Sequence, residues 1–533
     1  MNAAPARADR GLLALAALLA AFLLAQLLAY GYGRDQGIYA VVADAILRGG
    51  APYRDAWDFK PPGIHLVFAL ARATLGSDPV AIRVVETLAL LSLAPAFALL
   101  TRRAVGSAAP GLLGASVALL GYVPLEYWNT AQPEGFGAVC LAWALVFATS
   151  VGPGSSLRRT AGACFAAGAL YGAAALGKPT LGAGLAVSLG FAVSGPLPAG
   201  QGRATRALAL VGAGLAGAAL VPAAALAWLH AHAALGDFAE ALLGFAPRYT
   251  ALGLAAEGPL RLVARAFAWW LSPLAPFGGV GLALCLLLPP LGPGERRLAT
   301  HGIGVVAVTL LGVAVQAKFF GYHFAPAIVL TGCVAGLGFW KLWLRVRGSA
   351  VAIAAVALAL AALPLVELRG LPSVRPFWAR TPARLSVWLD RARWPEIADT
   401  LYSGDDVDAA SNRSAAAWIA SHTTPADPIF VWGFEPVLYD LAKRRPASRY
   451  VYNVPLRAPW SAARHRPLLL RELAESPPAA VVLVHGDRLP AVTGDVRDSA
   501  AVLEDFPELR RLLREGYRSA ARFGDLEILL PRG

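Results

Sequence analysis

Residues 33–63, GRDQGIYAVVADAILRGGAPYRDAWDFKPPG, bring acids, bases, tyrosines and a double proline into a chain otherwise dominated by Leu, Ala and Gly. They follow the first long uncharged run, Gly11 to Tyr30, so that Asp35 stands at its exit. Lys60 immediately precedes Pro61 and Pro62. A proline pair keeps the preceding residue extended and presets the first helical φ angles. Lys60 is therefore expected beside a helix N-terminus, where free N–H groups and the dipole favour an anion. A cation there is unfavourable unless something negative joins it. A bound phosphate would resolve the conflict, and a surface ion pair with Asp58 is the alternative.

Outward from this stretch the chain is apolar. Of its 533 residues 57% are hydrophobic and 15% charged, and the mean hydropathy is positive. Several apolar runs reach the roughly 20 residues that cross a bilayer as a helix. The composition predicts a polytopic α-helical membrane protein. The net charge of +13 comes almost wholly from arginine; in such a chain it reports orientation and anionic headgroups. No early soluble segment interleaves basic residues with aromatics, so no nucleic-acid partner is expected. Cys140, Cys164, Cys285 and Cys333 lie far apart in apolar runs without ligand spacing and read as small core residues.

Eleven spans are expected, at about 11–30, 80–100, 108–123, 135–151, 161–176, 181–194, 207–230, 266–288, 302–317, 324–340 and 349–366. The first, preceded by Arg7 and Arg10, reads as an uncleaved signal-anchor and is long for a signal peptide. With the N-terminus cytoplasmic, Arg102/Arg103, Arg158/Arg159, Arg203/Arg206, Arg296/Arg297 and Lys341/Arg345/Arg347 all fall inside. The loop 33–78 falls outside, with short amphipathic helices expected at 38–47 and 62–74. The expected domains are a membrane domain over 1–368 and an extracytoplasmic α/β domain over 369–533. In that tail, 428–433, 479–484 and 526–530 read as strands. Helical patterns lie between them at 414–421, 436–443, 467–476 and 500–515, suggesting a largely parallel sheet. Residues 371–384, rich in Pro and Arg, read as the connector.

Polar residues collect at the outer ends of the spans. Lys178 sits in a Gly-Lys-Pro turn, and Lys318 shares an interface with Tyr322 and His323. A lysine snorkelling to headgroups is the plain reading of the first; a cation, a phenol and an imidazole together favour an anion site. Glu134 opens the fourth span, where a carboxylate needs no function. Asp35, Glu134, Lys60, Lys178 and Lys318 nevertheless map to one outer surface. Carboxylates with a set of cations suit removing a proton from an acceptor while a phosphate-bearing donor leaves.

Asp35-Gln36-Gly37-Ile38-Tyr39, Gly50-Ala51-Pro52-Tyr53-Arg54-Asp55 and Lys60-Pro61-Pro62-Gly63 resemble the first outer loop of GT-C glycosyltransferases. The closest branch holds bacterial protein O-mannosyltransferase-like (glycosyltransferase family 39-like) and lipid A aminoarabinose transferase-like enzymes. Lys318 to His323 resembles that branch's Lys/Arg-aromatic-His-Tyr stretch, with Phe324 where Tyr is frequent. The tail segments 429–433 and 444–450 resemble the soluble domain of such proteins. The resemblance covers most of the chain and implies a GT-C membrane domain that moves a sugar from a polyprenyl-phosphate donor, with inversion, at the outer face of the bacterial inner membrane. The acceptor class, lipid, polysaccharide or protein, stays open. It implies Asp35 as catalytic base and Lys60 as a contact to the lipid phosphate. Glu134 is expected as a second catalytic residue, and Lys178, Lys318, Tyr322, His323 and Tyr53 as donor or substrate contacts. The usual acidic pair is here Asp35-Gln36, and Glu134 stands where the second loop usually supplies Asp.

Polyprenyl phosphate is already a leaving group, so the site need only orient it and neutralise growing charge. Lysines do so without a cofactor; no cage of oxygen ligands is evident, and a divalent metal stays open as an alternative. The competing class is a multispan transporter or flippase. Matched halves with broken helices at mid-membrane would signal it, and the polar residues here sit at one face instead. A membrane-anchored binding protein would not need ten further spans.

Overall fold

The computed structural model describes residues 3–150, 155–195, 202–254, 257–271, 276–362, 375–390, 394–404 and 407–532. Two compact units emerge. One comprises Met1–Tyr30, Arg83–Ala225 and Glu257–Thr381, the other Gly31–Ile82, Leu226–Ala256 and Pro382–Gly533. The expected boundary between 368 and 369 lies outside the described residues.

The first unit is helical. Among the described residues seven helices of the chain are long and apolar enough to span a bilayer: Arg7–Leu28, Pro79–Val105, Ala109–Asn129, Leu157–Gly177, Arg203–Ala231, Glu295–Gln316 and Gly321–Val346. The chain is an integral membrane protein. Pro133–Ala148, Pro179–Val193, Pro276–Leu287 and Ala350–Ala362 are apolar but shorter; they occupy the expected fourth, sixth, eighth and eleventh positions. The expected eighth span, 266–288, is not one helix. Pro259–Trp270 and Pro276–Leu287 are separate, and part of the eleventh, 363–366, lies outside the described residues.

The Gly321–Val346 helix is buried continuously from Ala325 to Lys341. Small residues admit its neighbours: a Cβ on Gly336 would lie 2.2 Å from the Pro110 carbonyl oxygen. Such close backbone approach is how helices pack in lipid, where apolar burial gives no drive. Within the Pro79–Val105 span the helix breaks at Ser92. Pro95 lacks the N–H that would bond Leu91, which explains the break. Asp9 pairs with Arg347 at 2.7 Å, so the start of the first helix and the end of Gly321–Val346 share one end of this unit. Lys341, expected in a basic loop, is fully buried, bonding Glu295 and the Cys285 carbonyl (2.7 Å). Its apolar stem leaves it within the helix bundle, where only a paired ammonium is tolerated.

The second unit joins the loop to the tail. Its two loop helices, Arg34–Leu47 and Gly63–Leu75, lie where short helices are expected, but the first is buried on every face from Gln36 to Ala43 and is not amphipathic. Gly37 has no side chain because the tail backbone lies against it: a Cβ there would sit 2.9 Å from the Val437 nitrogen. Arg72 bonds both Asp44 and Asp440 at 2.8 Å, and the Trp57 N–H donates to the Arg449 carbonyl at 2.7 Å.

The tail sheet has four strands, β1 (Ile429–Trp432), β2 (Ala480–Val484), β3 (Tyr517–Phe523) and β4 (Leu526–Pro531), in the order β1-β2-β4-β3. β1 and β2 pair in parallel, but β2–β4 and β3–β4 are antiparallel, so the expectation of a largely parallel sheet is corrected. The cause is the β3–β4 hairpin: Gly524, at φ +55°, supplies the left-handed turn that tight hairpins require. β3 was not expected because its polar residues, Arg518, Ser519 and Arg522, interrupt any apolar run and only Tyr517 is buried. The expected 500–515 helix is also divided, with a new helix beginning at Pro507, where proline is favoured and helix continuation is not.

Candidate functional site

The expected site residues fall into two groups, Asp35, Tyr53 and Lys60 in one unit and Glu134, Lys178, Lys318, Tyr322 and His323 in the other.

In the first group the Arg34–Leu47 helix is capped by Gly33, whose N–H donates to the Gln36 amide oxygen at 3.0 Å. Gln36 thus does the work of an N3 capping side chain without a charge, which is what the departure from a second carboxylate leaves it to do. Asp35 is in the first turn and is not the cap. Arg34 turns into the tail, donating to Glu435 Oε1 through Nε (2.9 Å) and Nη2 (2.6 Å). The next residue points about 100° further round the helix. Asp35 Oδ2 accordingly meets Lys60 Nζ at 2.8 Å. The same ammonium bonds the hydroxyl of Tyr39, one turn beyond Asp35, and stands 4.7 Å from its ring centre.

Lys60 is held from behind. Tyr53, fully buried, adopts φ +72° and donates its hydroxyl to the Lys60 carbonyl at 2.8 Å. A tyrosine in the left-handed region is strained and persists only where its surroundings over-determine it. Asp58 is not a surface partner for Lys60. Its side chain is 1% exposed, and Oδ1 accepts from the Tyr452 hydroxyl (2.9 Å) and the Phe59 N–H (2.8 Å). Its other oxygen lies 3.4 Å from His65 Nε2; neither that oxygen nor either His65 nitrogen has a hydrogen bond. Burial pushes the Asp58 carboxyl up to about 6, against the pull of Lys60 and Tyr452. Burial, with Lys60 nearby, brings His65 down to about 3.

In the other group Glu134 lies in the first turn of the Pro133–Ala148 helix and is buried. Lys178 Nζ is 3.1 Å from Glu134 Oε1. His323 Nε2 is 3.6 Å from that oxygen and 3.4 Å from Lys178 Nζ. His323 Nδ1 is 2.7 Å from the Lys318 carbonyl. A carbonyl only accepts, so Nδ1 carries a proton. Neither Glu134 oxygen has a hydrogen bond of good geometry, an expensive state for a buried carboxylate. Tyr322 is buried with its ring edge-on to His323 at 4.5 Å. Lys318 follows Ala317, which is left-handed at φ +51°, and burial lowers its ammonium to about 8.

Sequence reasoning gave no role to Tyr39, His65 or Tyr452 and read Asp58 as exposed. The signal for Asp58 was its setting, Ala56-Trp57-Asp58-Phe59, an acid flanked by apolar residues.

No protein-family profile and no curated protein sequence matches the chain. Among solved structures it is similar to ArnT from Cupriavidus metallidurans bound to undecaprenyl phosphate, at 17% identity and a TM-score of 0.56, over 97% of this chain and 98% of that one. The apo state of that protein gives 15% identity and a TM-score of 0.57, over 98% of both chains. The archaeal oligosaccharyltransferase AglB from Archaeoglobus fulgidus aligns at 13% identity, over 89% of this chain and 69% of that one, with a TM-score of 0.42. The fold is therefore the GT-C fold, as the motifs implied.

Proposed function

On this fold, we propose that the chain is an inverting glycosyltransferase that moves a sugar from a polyprenyl-phosphate carrier to a lipid, polysaccharide or protein acceptor at the outer face of a bacterial inner membrane. Its N-terminus would be cytoplasmic and its tail extracytoplasmic. That loop and tail belong to one compact unit supports a shared side for both, and the arginines of the inter-span loops support a cytoplasmic other side.

The observation that carries the reading is the 2.8 Å contact between Lys60 and Asp35. In this arrangement the ammonium engages the carboxylate. A donor phosphate arriving at Lys60 competes for the ammonium and releases Asp35, which then accepts the proton of the acceptor hydroxyl as that oxygen attacks the anomeric carbon. The carbon–oxygen bond to the phosphate breaks, and Lys60 neutralises the charge that grows there. Tyr39 and Tyr53 position Lys60. Inversion needs no second carboxylate as nucleophile. We assign Lys178, Lys318, Tyr322 and His323 to donor contacts and Glu134 to a supporting acid–base role. Its unsatisfied oxygens could accept from a substrate hydroxyl. The lysines supply the charge neutralisation, and no metal is required in this reading.

Purified protein incubated with polyprenyl-phosphate sugars, together with mass spectrometry of glycans and lipids from a deletion strain, tests the reading. Donor consumption and one missing sugar modification support it; an unaltered envelope with no donor consumed overturns it.

A further inference from the structure

A cleft of about 420 Å³ opens in the loop-and-tail unit between the end of the Arg34–Leu47 helix and residues 445–449 and 472–476. That volume is within the range of small-ligand pockets. Four arginines line it, Arg48, Arg54, Arg445 and Arg449.

Two of the four are committed. Arg54 donates twice to Asp55 Oδ2, at 2.9 and 2.7 Å. Arg449 binds Glu472 and, at 3.1 Å, Asp237. The acids are saturated in turn: Asp55 Oδ2 also takes the Ala51 N–H at 2.7 Å, and Glu472 Oε2 takes the Ser448 hydroxyl (2.6 Å) and the Arg449 N–H (3.0 Å). The inner wall is thus close to neutral. Arg48 and Arg445 are exposed, and among the described residues neither has a carboxylate within ion-pair distance. Arg445 uses only Nε, on the Ala426 carbonyl at 3.3 Å. Glu475, the remaining acid of the lining, is exposed. The helix end would repel an anion through its bare carbonyls. Those are covered by the N–H groups of Arg48, Gly49 and Gly50, on Asp44, Ile46 and Ala45 at 3.1, 2.9 and 2.9 Å.

We propose that this cleft binds the anionic group, phosphate or carboxylate, of a saccharide acceptor between the guanidinium groups of Arg48 and Arg445. Planar forks with free N–H groups suit two-oxygen anions. The cleft is separate from the Lys60 contact: Asp35 and Ala45 are ten residues apart on one helix, about 15 Å at the α-helical rise. An acceptor anchored here would therefore be an extended, charged glycan. The inference rests on the transferase reading for the word acceptor, but binding is measurable without transfer.

The test is calorimetric titration of the full chain in detergent with glucose 6-phosphate, glucuronate, glucose and inorganic phosphate. It is run in wild type and in a Lys60→Ala background, which removes the other candidate phosphate contact. Charged sugars should bind at least about tenfold more tightly than glucose, the gain expected of a charged hydrogen bond. Arg48→Ala with Arg445→Ala should abolish that preference in both backgrounds with an unchanged melting temperature, since both side chains are exposed. A preference for glucose 6-phosphate assigns a phosphate, and one for glucuronate a carboxylate. Equal binding of glucose, persistence of the preference in the double variant, its loss in Lys60→Ala alone, or equally tight binding of inorganic phosphate would each overturn the proposal. Failure of the transferase reading shows separately, as absent transfer with charged-sugar binding intact.

Discussion

Lys60 Nζ and Asp35 Oδ2 stand 2.8 Å apart across 25 residues of chain, joining the two ends of the loop that the motifs single out. Their side chains are only 16% and 17% exposed. The pair is neither a surface decoration nor fully desolvated, which leaves both groups within reach of a ligand.

Asp35→Asn separates a base from a structural acid. Gly33 caps the helix, so the substitution costs a first-turn charge, worth about 0.3–1 kcal/mol, and turns the ion pair with Lys60 into a hydrogen bond from the ammonium to the amide oxygen. Turnover of bound donor should fall at least about a hundredfold, with donor binding and melting temperature nearly unchanged. Single-turnover transfer measures the first and thermal denaturation the last; near-normal turnover removes Asp35 from the mechanism.

Lys60→Ala should raise the apparent Michaelis constant for the polyprenyl-phosphate donor more than it alters that for the acceptor. Lys60→Arg should recover part of the donor affinity, because the charge returns in a different shape. An equal effect on both substrates would point to a general loss of loop structure.

The Asp58–His65 pair predicts a pH dependence. Asp58 is raised to about 6, so its favourable contribution is full below its ordinary pKa and lost as pH rises through about 6. His65 is lowered to about 3, so its contribution is full above its ordinary pKa and lost as pH falls toward 3. Asp58→Asn should therefore gain stability relative to wild type between about pH 4 and 6, the window bounded by the two Asp58 values. Melting temperatures across that range check it, and a constant difference contradicts it.

Arg34 and Glu435 are 3% and 4% exposed and paired at 2.6 Å. Removing either partner leaves a buried charge and should cost about 3–5 kcal/mol. The double replacement Arg34→Met with Glu435→Leu should recover much of that loss, as read by denaturation of the purified protein. Additive losses would show that the two residues act independently.

A reporter active only outside the cytoplasm, fused after Arg384, should be active, and one fused after Arg297 should be silent. The opposite result at either position would remove the proposed orientation.

Much of this architecture could be read from residue order because lipid imposes simple rules. Uninterrupted apolar runs became helices, and Pro61-Pro62 delivered the helix at Gly63 beside Lys60. The three apolar strands of the tail were legible for the same reason, whereas β3, with Arg518, Ser519 and Arg522 on an edge, carries no burial signal. Long-range partners were not legible. Nothing local in Asp58 announces Tyr452, 394 residues away, and the choice between Asp58 and Asp35 as the neighbour of Lys60 depends on that distant hydroxyl. Likewise Glu134 reads as an ordinary first-turn acid until Lys178 and His323 are placed against it.

The ion pair between Arg34 and Glu435 spans 401 residues, and that separation has a consequence in time. At about 5–20 residues per second of synthesis, Arg34 leaves the ribosome some 20–80 s before its partner exists. During that interval the loop must wait in water or at the headgroups with Arg34 lacking Glu435. The Asp35–Lys60 loop is thus among the first segments made and among the last to be finished, and a chain truncated before the tail would carry its motif intact in sequence and unassembled in space.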